Sequence, residues 1–141
     1  MVYIEPENWK PIDNLELEPA ALEVVTNDRN YSVVAGPGAG KTELLAQRAS
    51  FLLQTGTCIY PRKVLALSYK KDAEKNIKER VSKRVGVDLA ARFVSLTYDA
   101  FAKSILDRFI SAIPEPYRPK INYQILNINE AYEAFYKIKL S

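Results

Sequence analysis

The sequence has no histidine and a single cysteine, Cys58, in 141 residues. Without an imidazole there is no Ser-His-Asp or Cys-His nucleophile system and no histidine-ligated metal. One thiol can form neither an internal disulfide nor a cysteine-ligated zinc cluster. No run approaches the ~18 apolar residues of a membrane span. The opening stretch MVYIEPENWKP lacks the basic-then-apolar pattern of a secretory signal. No membrane partner is expected, and a lone cysteine without an export signal fits a reducing cytoplasm. Glycine is scarce, five against eight prolines, which argues against a flexible low-complexity chain. What is present is ordinary for a soluble globular protein, 48% hydrophobic and 26% charged, at a length that suits one domain.

The net charge of +3 hides an asymmetry. Residues 1–30 hold seven acids and two bases, whereas residues 62–84 hold nine bases and three acids. A basic block of this kind is either an electrostatic footprint for nucleic acid or a solvated helix face with Glu/Lys pairs.

Strand-like runs alternate with helical ones. Tyr31–Ala35 (YSVVA) is β-rich and ends at a glycine loop, and Thr42–Gln54 carries Leu44, Leu45, Ala49, Leu52 and Leu53 at helical spacing. Lys63–Ser68 (KVLALS) reads as a second strand. Asp72–Val85 reads as a helix with Ala73, Ile77, Val81 and Val85 on one stripe and Gly86 as its stop. Arg92–Thr97 (RFVSLT) is a third strand, followed by a helix over Ala100–Ala112 that Asp99 is expected to cap. Pro114, Pro116 and Pro119 stiffen a loop before Tyr123–Leu126, a possible fourth strand, and Asn129 is expected to cap a last helix through Leu140. Residues 1–30 read as a tether with one short helix after Pro19, and residues 31–141 as an α/β domain. Such alternation implies a parallel sheet flanked by helices, with ligands at the carboxyl ends of the strands.

The sharpest feature is Ala35–Thr42, AGPGAGKT, between a strand and a helix. The strict G-x-x-x-x-G-K-[ST] pattern fails only at Ala35. Gly38 and Gly40 let the backbone approach an anion closely. The amides from about Ala39 to Glu43 open a helix whose dipole favours negative charge. Lys41 can reach the β- and γ-phosphates and the Thr42 hydroxyl can ligate Mg²⁺. Pro37, which has no N–H, is expected on the front of the loop, away from phosphate. Ala35, Gly36, Pro37, Gly38, Ala39, Gly40, Lys41, Thr42 and Glu43 are therefore the candidate ATP-binding residues, with Lys41 and Thr42 as the catalytic pair.

Three stretches, AGPGAGKTELLAQRASFLL, VLALSYKKDAEKNIKERV and FVSLTYDAFAKSILDRF, stand in the order and spacing of motifs I, Ia and Ib of the UvrD/Rep-like superfamily 1 DNA helicases, which the chain resembles over roughly residues 15–140. The resemblance implies a three-layer P-loop (RecA-like) domain, here incomplete. It implies use of ATP and Mg²⁺, and contact with single-stranded DNA through Ser68, Tyr69, Lys70 and Lys71 after the second strand and Thr97 and Tyr98 after the third. Aromatic faces interleaved with cations suit single strands held without sequence preference. It implies further helicase domains as partners within a parent chain, and travel from 3′ to 5′.

The chain departs from the family's pattern at Ala21, where an adenine-reading glutamine is usual, at Glu43, where some members have arginine, and at Asp99, where many have histidine. Hydrolysis needs carboxylates for Mg²⁺ and for the attacking water, together with arginines. The family supplies the former as an adjacent Asp-Glu pair, and no two acids are adjacent in this chain. The expectation is an N-terminal piece of a larger helicase that does not hydrolyse ATP by itself. Two other readings stay open: a self-contained small P-loop NTPase using Asp99 for Mg²⁺, and a non-catalytic nucleotide-binding interaction module.

Overall fold

In the helix Lys41–Gln54 (α2), Ala46, Ala49 and Leu53 recur at helical spacing on one side, while Leu44 and Phe51 lie seven apart on another. Both sides are covered, so α2 is central to its unit. The computed structural model describes residues 3–36, 38–120, 122–126 and 128–139. The chain forms two compact units, Met1–Tyr98 and Asp99–Ser141.

In the first unit, the helix Pro19–Thr26 (α1) precedes α2. The strand Val64–Ser68 (β1), the helix Lys71–Ala90 (α3) and the strand Phe93–Thr97 (β2) follow it. β1 and β2 pair in parallel, from Val64 opposite Phe93 to Ser68 opposite Thr97. One core joins Ala46, Ala49 and Leu53 of α2 to Ile77, Val81 and Val85 of α3 and to Phe93. Fully burying Leu53 is worth roughly 2 kcal/mol. A second core packs Trp9, Val25 and Phe51, with the Trp9 and Phe51 rings edge to face at 5.3 Å. The buried Gln47 links this second core to the N-terminal segment: its Oε1 accepts from the Ile12 amide at 3.1 Å and its Nε2 donates to the Ile12 carbonyl at 3.1 Å. The Arg92 guanidinium, also buried, donates to the carbonyls of Cys58 and Arg62 and ties that loop to the base of β2.

The expected helices and two of the expected strands form where the periodicity places them, with differences that have local causes. Gly86, at φ 76° and ψ 168°, breaks the helical backbone where the sequence places a stop, and a further short helical stretch beyond it carries α3 to Ala90. Ala73 is exposed, so the stripe that packs begins at Ile77. Tyr31–Ala35 forms no ladder among the described residues, and Val34 is 95% exposed. A strand is defined by its partner, and β1 and β2 pair with each other. The sheet among the described residues therefore has two strands, not four.

In the second unit, the helix Tyr98–Arg108 (α4) begins one residue before Asp99, so Asp99 lies in its first turn rather than capping it. A 3₁₀ turn over Ile110–Ala112 replaces the expected end of that helix. Tyr123–Leu126 is not a strand: the Tyr123 hydroxyl turns to the Asp107 carboxylate at 2.6 Å, and Ile125 and Leu126 are exposed. The last helix is Ile128–Lys139 (α5), with Asn129 inside its first turn, and Leu140 lies outside the described residues. Arg118 donates to the carbonyls of Ile113 and Ser111 and fastens the proline-rich turns. Among the described residues, no helix is long and apolar enough to cross a membrane.

Two predictions follow from these contacts. Gln47→Leu strands the Ile12 amide and carbonyl and should destabilise the first unit by about 2 kcal/mol. Urea unfolding followed through Trp9, the single tryptophan, reads this; a loss below about 0.5 kcal/mol would show that Gln47 does not hold the segment. In the second unit, the hydrogen bonds from Lys103 and then Tyr123 hold the Asp107 carboxyl below its ordinary value of 3.8. Bonding to Asp107 raises Lys103 and Tyr123 above their ordinary 10.5 and 10.0. The depressed acid contributes stability above pH 3.8 that is lost as pH falls through its folded value, and the raised groups contribute stability lost as pH rises through theirs. The difference in melting between wild type and Asp107→Asn should be largest near neutrality and shrink at both ends; a difference that does not vary with pH would refute the assignment.

Candidate functional site

The loop that enters α2 is shaped by two glycines with positive φ, Gly38 at 77° and Gly40 at 75°. Gly40 is the N-cap of α2, in the left-handed region that an L side chain adopts at a cost of roughly 1–2 kcal/mol. A Cβ at either glycine would meet nothing within 4 Å, so backbone conformation, not crowding within the protein, calls for glycine there. The Ala39 amide donates to the Gly36 carbonyl at 3.3 Å and closes the turn. Pro37, expected on the front of this loop, lies outside the described residues.

The Lys41 ammonium folds back over the loop and donates to the carbonyls of Ala35 at 2.6 Å and Gly36 at 2.7 Å. Two of its three hydrogens are thereby used, leaving one for an anion. Thr42 is half-buried in the first turn of α2, where the leading amides have no partner within the helix. Gly38, Ala39, Gly40, Lys41, Thr42 and Glu43, with Arg80 from α3, line a hollow of about 260 Å³. These features fit a phosphate group: a curved backbone at a helix N-terminus, an ammonium on one side and a guanidinium on the other. The Thr42 hydroxyl is the oxygen that would reach Mg²⁺.

Glu43 does not face solvent. Its carboxylate accepts from Gln47 at 3.0 Å, from Arg80 at 2.8 Å and from Arg84 at 2.9 Å. Arg84 also pairs with Asp13 at 3.0 Å. The sequence alone did not reveal Arg80 and Arg84 as neighbours of the loop. Both belong to the basic block, and the signal available was the successive spacing of four along Asn76, Arg80 and Arg84, beside the stripe of Ile77, Val81 and Val85.

The second group of candidates sits at the carboxyl ends of the two strands. Because Ser68 is opposite Thr97, the residues that follow emerge side by side, and the Tyr69 and Tyr98 rings meet at 5.7 Å. Tyr69 is 92% exposed and Tyr98 half-exposed. Ser68 donates from Oγ to the Lys70 carbonyl at 3.1 Å, turning the chain into α3. Lys70 is the N-cap of α3 and Lys71 its first residue, with Asp72 and Glu74 in the same turn offsetting cations at a positive helix end. Thr97 is buried at the end of β2. Thr42 and Ser68 both line one cavity of about 350 Å³, enclosed by α2, α3, β1 and β2, so a member of each group of candidates borders a common space.

Comparison with known proteins bears on what this arrangement belongs to. The UvrD/REP helicase N-terminal domain matches residues 17–138. DNA helicase IV of Escherichia coli is 32% identical over 108 residues, which is 75% of this chain and 15% of that protein. The ATP-dependent DNA helicase PcrA of Staphylococcus aureus is 34% identical over 85 residues, 60% of this chain and 11% of that protein. The ATP-dependent DNA helicase SRS2 of Saccharomyces cerevisiae is 28% identical over 101 residues, 70% of this chain and 8% of that protein. This chain thus spans less than a sixth of the length of each of these relatives. With a match that runs from ahead of the glycine loop into α5, the chain belongs to the UvrD/REP helicase N-terminal domain family.

Proposed function

We propose that the chain is the nucleotide-binding N-terminal portion of an ATP-dependent DNA helicase or translocase. The observation that carries this reading is the loop Ala35–Glu43, with Lys41 folded over it and Arg80 beside it at the start of α2. In this reading the α2 amides and Lys41 bind the phosphates of ATP, and Thr42 orients Mg²⁺, which when bound neutralises phosphate charge. Ser68, Tyr69, Lys70 and Lys71, with Thr97 and Tyr98, contact single-stranded DNA: the tyrosines by stacking, the lysines through the backbone, and Thr97 by placing Tyr98. The strands β1 and β2 and the segment 31–35 are parts of a three-layer RecA-like sheet shared with the remaining helicase domains. In that larger protein, nucleotide binding and hydrolysis open and close the cleft and move it along one DNA strand. Within these residues no adjacent acidic pair exists to hold Mg²⁺ and the attacking water.

The isolated 141-residue chain should bind ATP·Mg²⁺ without turning it over, and Lys41→Ala should weaken binding at least tenfold, as read by calorimetry. Steady phosphate release that Lys41→Ala abolishes would defeat the claim of inactivity, and unchanged binding in Lys41→Ala would defeat the loop assignment. For DNA, Tyr69→Ala should cost about 1–3 kcal/mol of affinity for a single-stranded oligonucleotide with no change in salt slope. Lys70→Ala should reduce the log–log salt slope by ~0.7. Equal losses on single- and double-stranded DNA for Tyr69→Ala would count against stacking.

A further inference from the structure

Glu43 follows the Lys-Thr pair directly and lines the same hollow as the phosphate loop, where an isolated carboxylate would repel an anion. It is not isolated. Its side chain is only 17% exposed and sits between Arg80 and Arg84, while Arg84, 9% exposed, is shared with Asp13. Two acids and two bases make this cluster neutral. The two arginines differ in what they have left to offer. The Arg84 side chain is 9% exposed; its Nη2 serves both carboxylates, and its Nη1, though without a protein acceptor among the described residues, is enclosed and out of a ligand's reach. Arg80 is 44% exposed and on the rim of the hollow. It is anchored at two points, Nε to Asn76 at 2.7 Å and Nη1 to Glu43 at 2.8 Å. Its Nη2 has no protein acceptor among the described residues.

We propose that Glu43 is a positioning residue for nucleotide binding: it fixes the Arg80 guanidinium on the rim of the phosphate loop, so that Arg80 meets the terminal phosphate of a bound nucleoside triphosphate. The inference rests on the reading of Ala35–Glu43 as a phosphate loop. A planar guanidinium held at two donors presents the third with little further loss of rotamer freedom. Two effects of Glu43 oppose each other. Its charge would repel phosphate, but the two guanidiniums that pair with it already cancel that charge. A fixed charge-assisted hydrogen bond changes affinity by about tenfold or more. Positioning therefore outweighs repulsion.

The test is calorimetric titration of the full chain with ATP·Mg²⁺ and ADP·Mg²⁺, using wild type, Lys41→Ala, Glu43→Gln, Arg80→Gln and the Glu43→Gln/Arg80→Gln double variant. Glu43→Gln and Arg80→Gln should each weaken ATP by about tenfold and ADP by less, and the double variant should be no weaker than the worse single one. Wild-type or tighter ATP binding by Glu43→Gln, losses that multiply in the double variant, or equal losses for ATP and ADP would overturn the proposal. Thermal melting checks that each variant folds. If Glu43→Gln does not fold because Arg84 loses a partner, Arg80→Gln decides alone: an ATP-selective tenfold loss supports the proposal and wild-type affinity overturns it. Lys41→Ala separates the two levels. Unchanged binding there removes the phosphate-loop reading itself, whereas abolished binding beside an unaffected Arg80→Gln removes only the role of Glu43 and Arg80.

Discussion

The burial of α2 on two sides is the constraint from which the rest of the first unit follows. One stripe, Ala46, Ala49 and Leu53, meets α3 and β2; another, around Phe51, meets Trp9 and Val25. A helix covered on both sides cannot roll or slide without losing one core, so its N-terminal turn has a fixed place. Gly40, Lys41 and Thr42 inherit that place. Small residues at 46, 49 and 50 allow the close approach on one side, and Gln47, polar yet fully buried, is satisfied by the backbone of Ile12 and the carboxylate of Glu43.

The parallel pair β1–β2 does the corresponding work for the aromatic residues. Register alone brings Tyr69 next to Tyr98, because each follows the last residue of its strand and those last residues are opposite one another. α3 connects the two strands, and its stripe of Ile77, Val81 and Val85 packs on the face that α2 also covers. The same helix carries Arg80 and Arg84 to Glu43, so one element serves the strand ends at its start and the loop of α2 two turns later.

What was legible in the sequence was what depends on short-range pattern. The apolar periodicity marked α2 and α3, the β-branched runs marked β1 and β2, and the glycine spacing marked the loop before α2. The family resemblance, carried by three motifs, was legible too, and the match over residues 17–138 agrees with it. What depended on partners was not legible. YSVVA has the composition of a strand but no ladder, and YQIL gives its tyrosine to Asp107 instead. Asp99 and Asn129 suit a cap, yet each falls inside a first turn, because a helix can begin a residue earlier than its best capping side chain. The basic block was ambiguous between a nucleic-acid footprint and a solvated face, and the pattern did not reveal that two of its members, Arg80 and Arg84, pair with an acid 37 and 41 residues away in sequence.

The ammonium of Lys41 already has two carbonyl acceptors in its own loop. Ligand capture at this position is therefore a competition between acceptors, and the free energy of a new contact is reduced by whatever the old ones were worth. A monoanion that offers one oxygen barely improves on a pair of peptide dipoles. A chain of phosphates, presenting several charged oxygens at once, offers more than those dipoles do. If the loop binds phosphate as proposed, its internal strap sets a threshold: a ligand must outcompete two peptide carbonyls for the ammonium, which favours polyphosphate over simple anions.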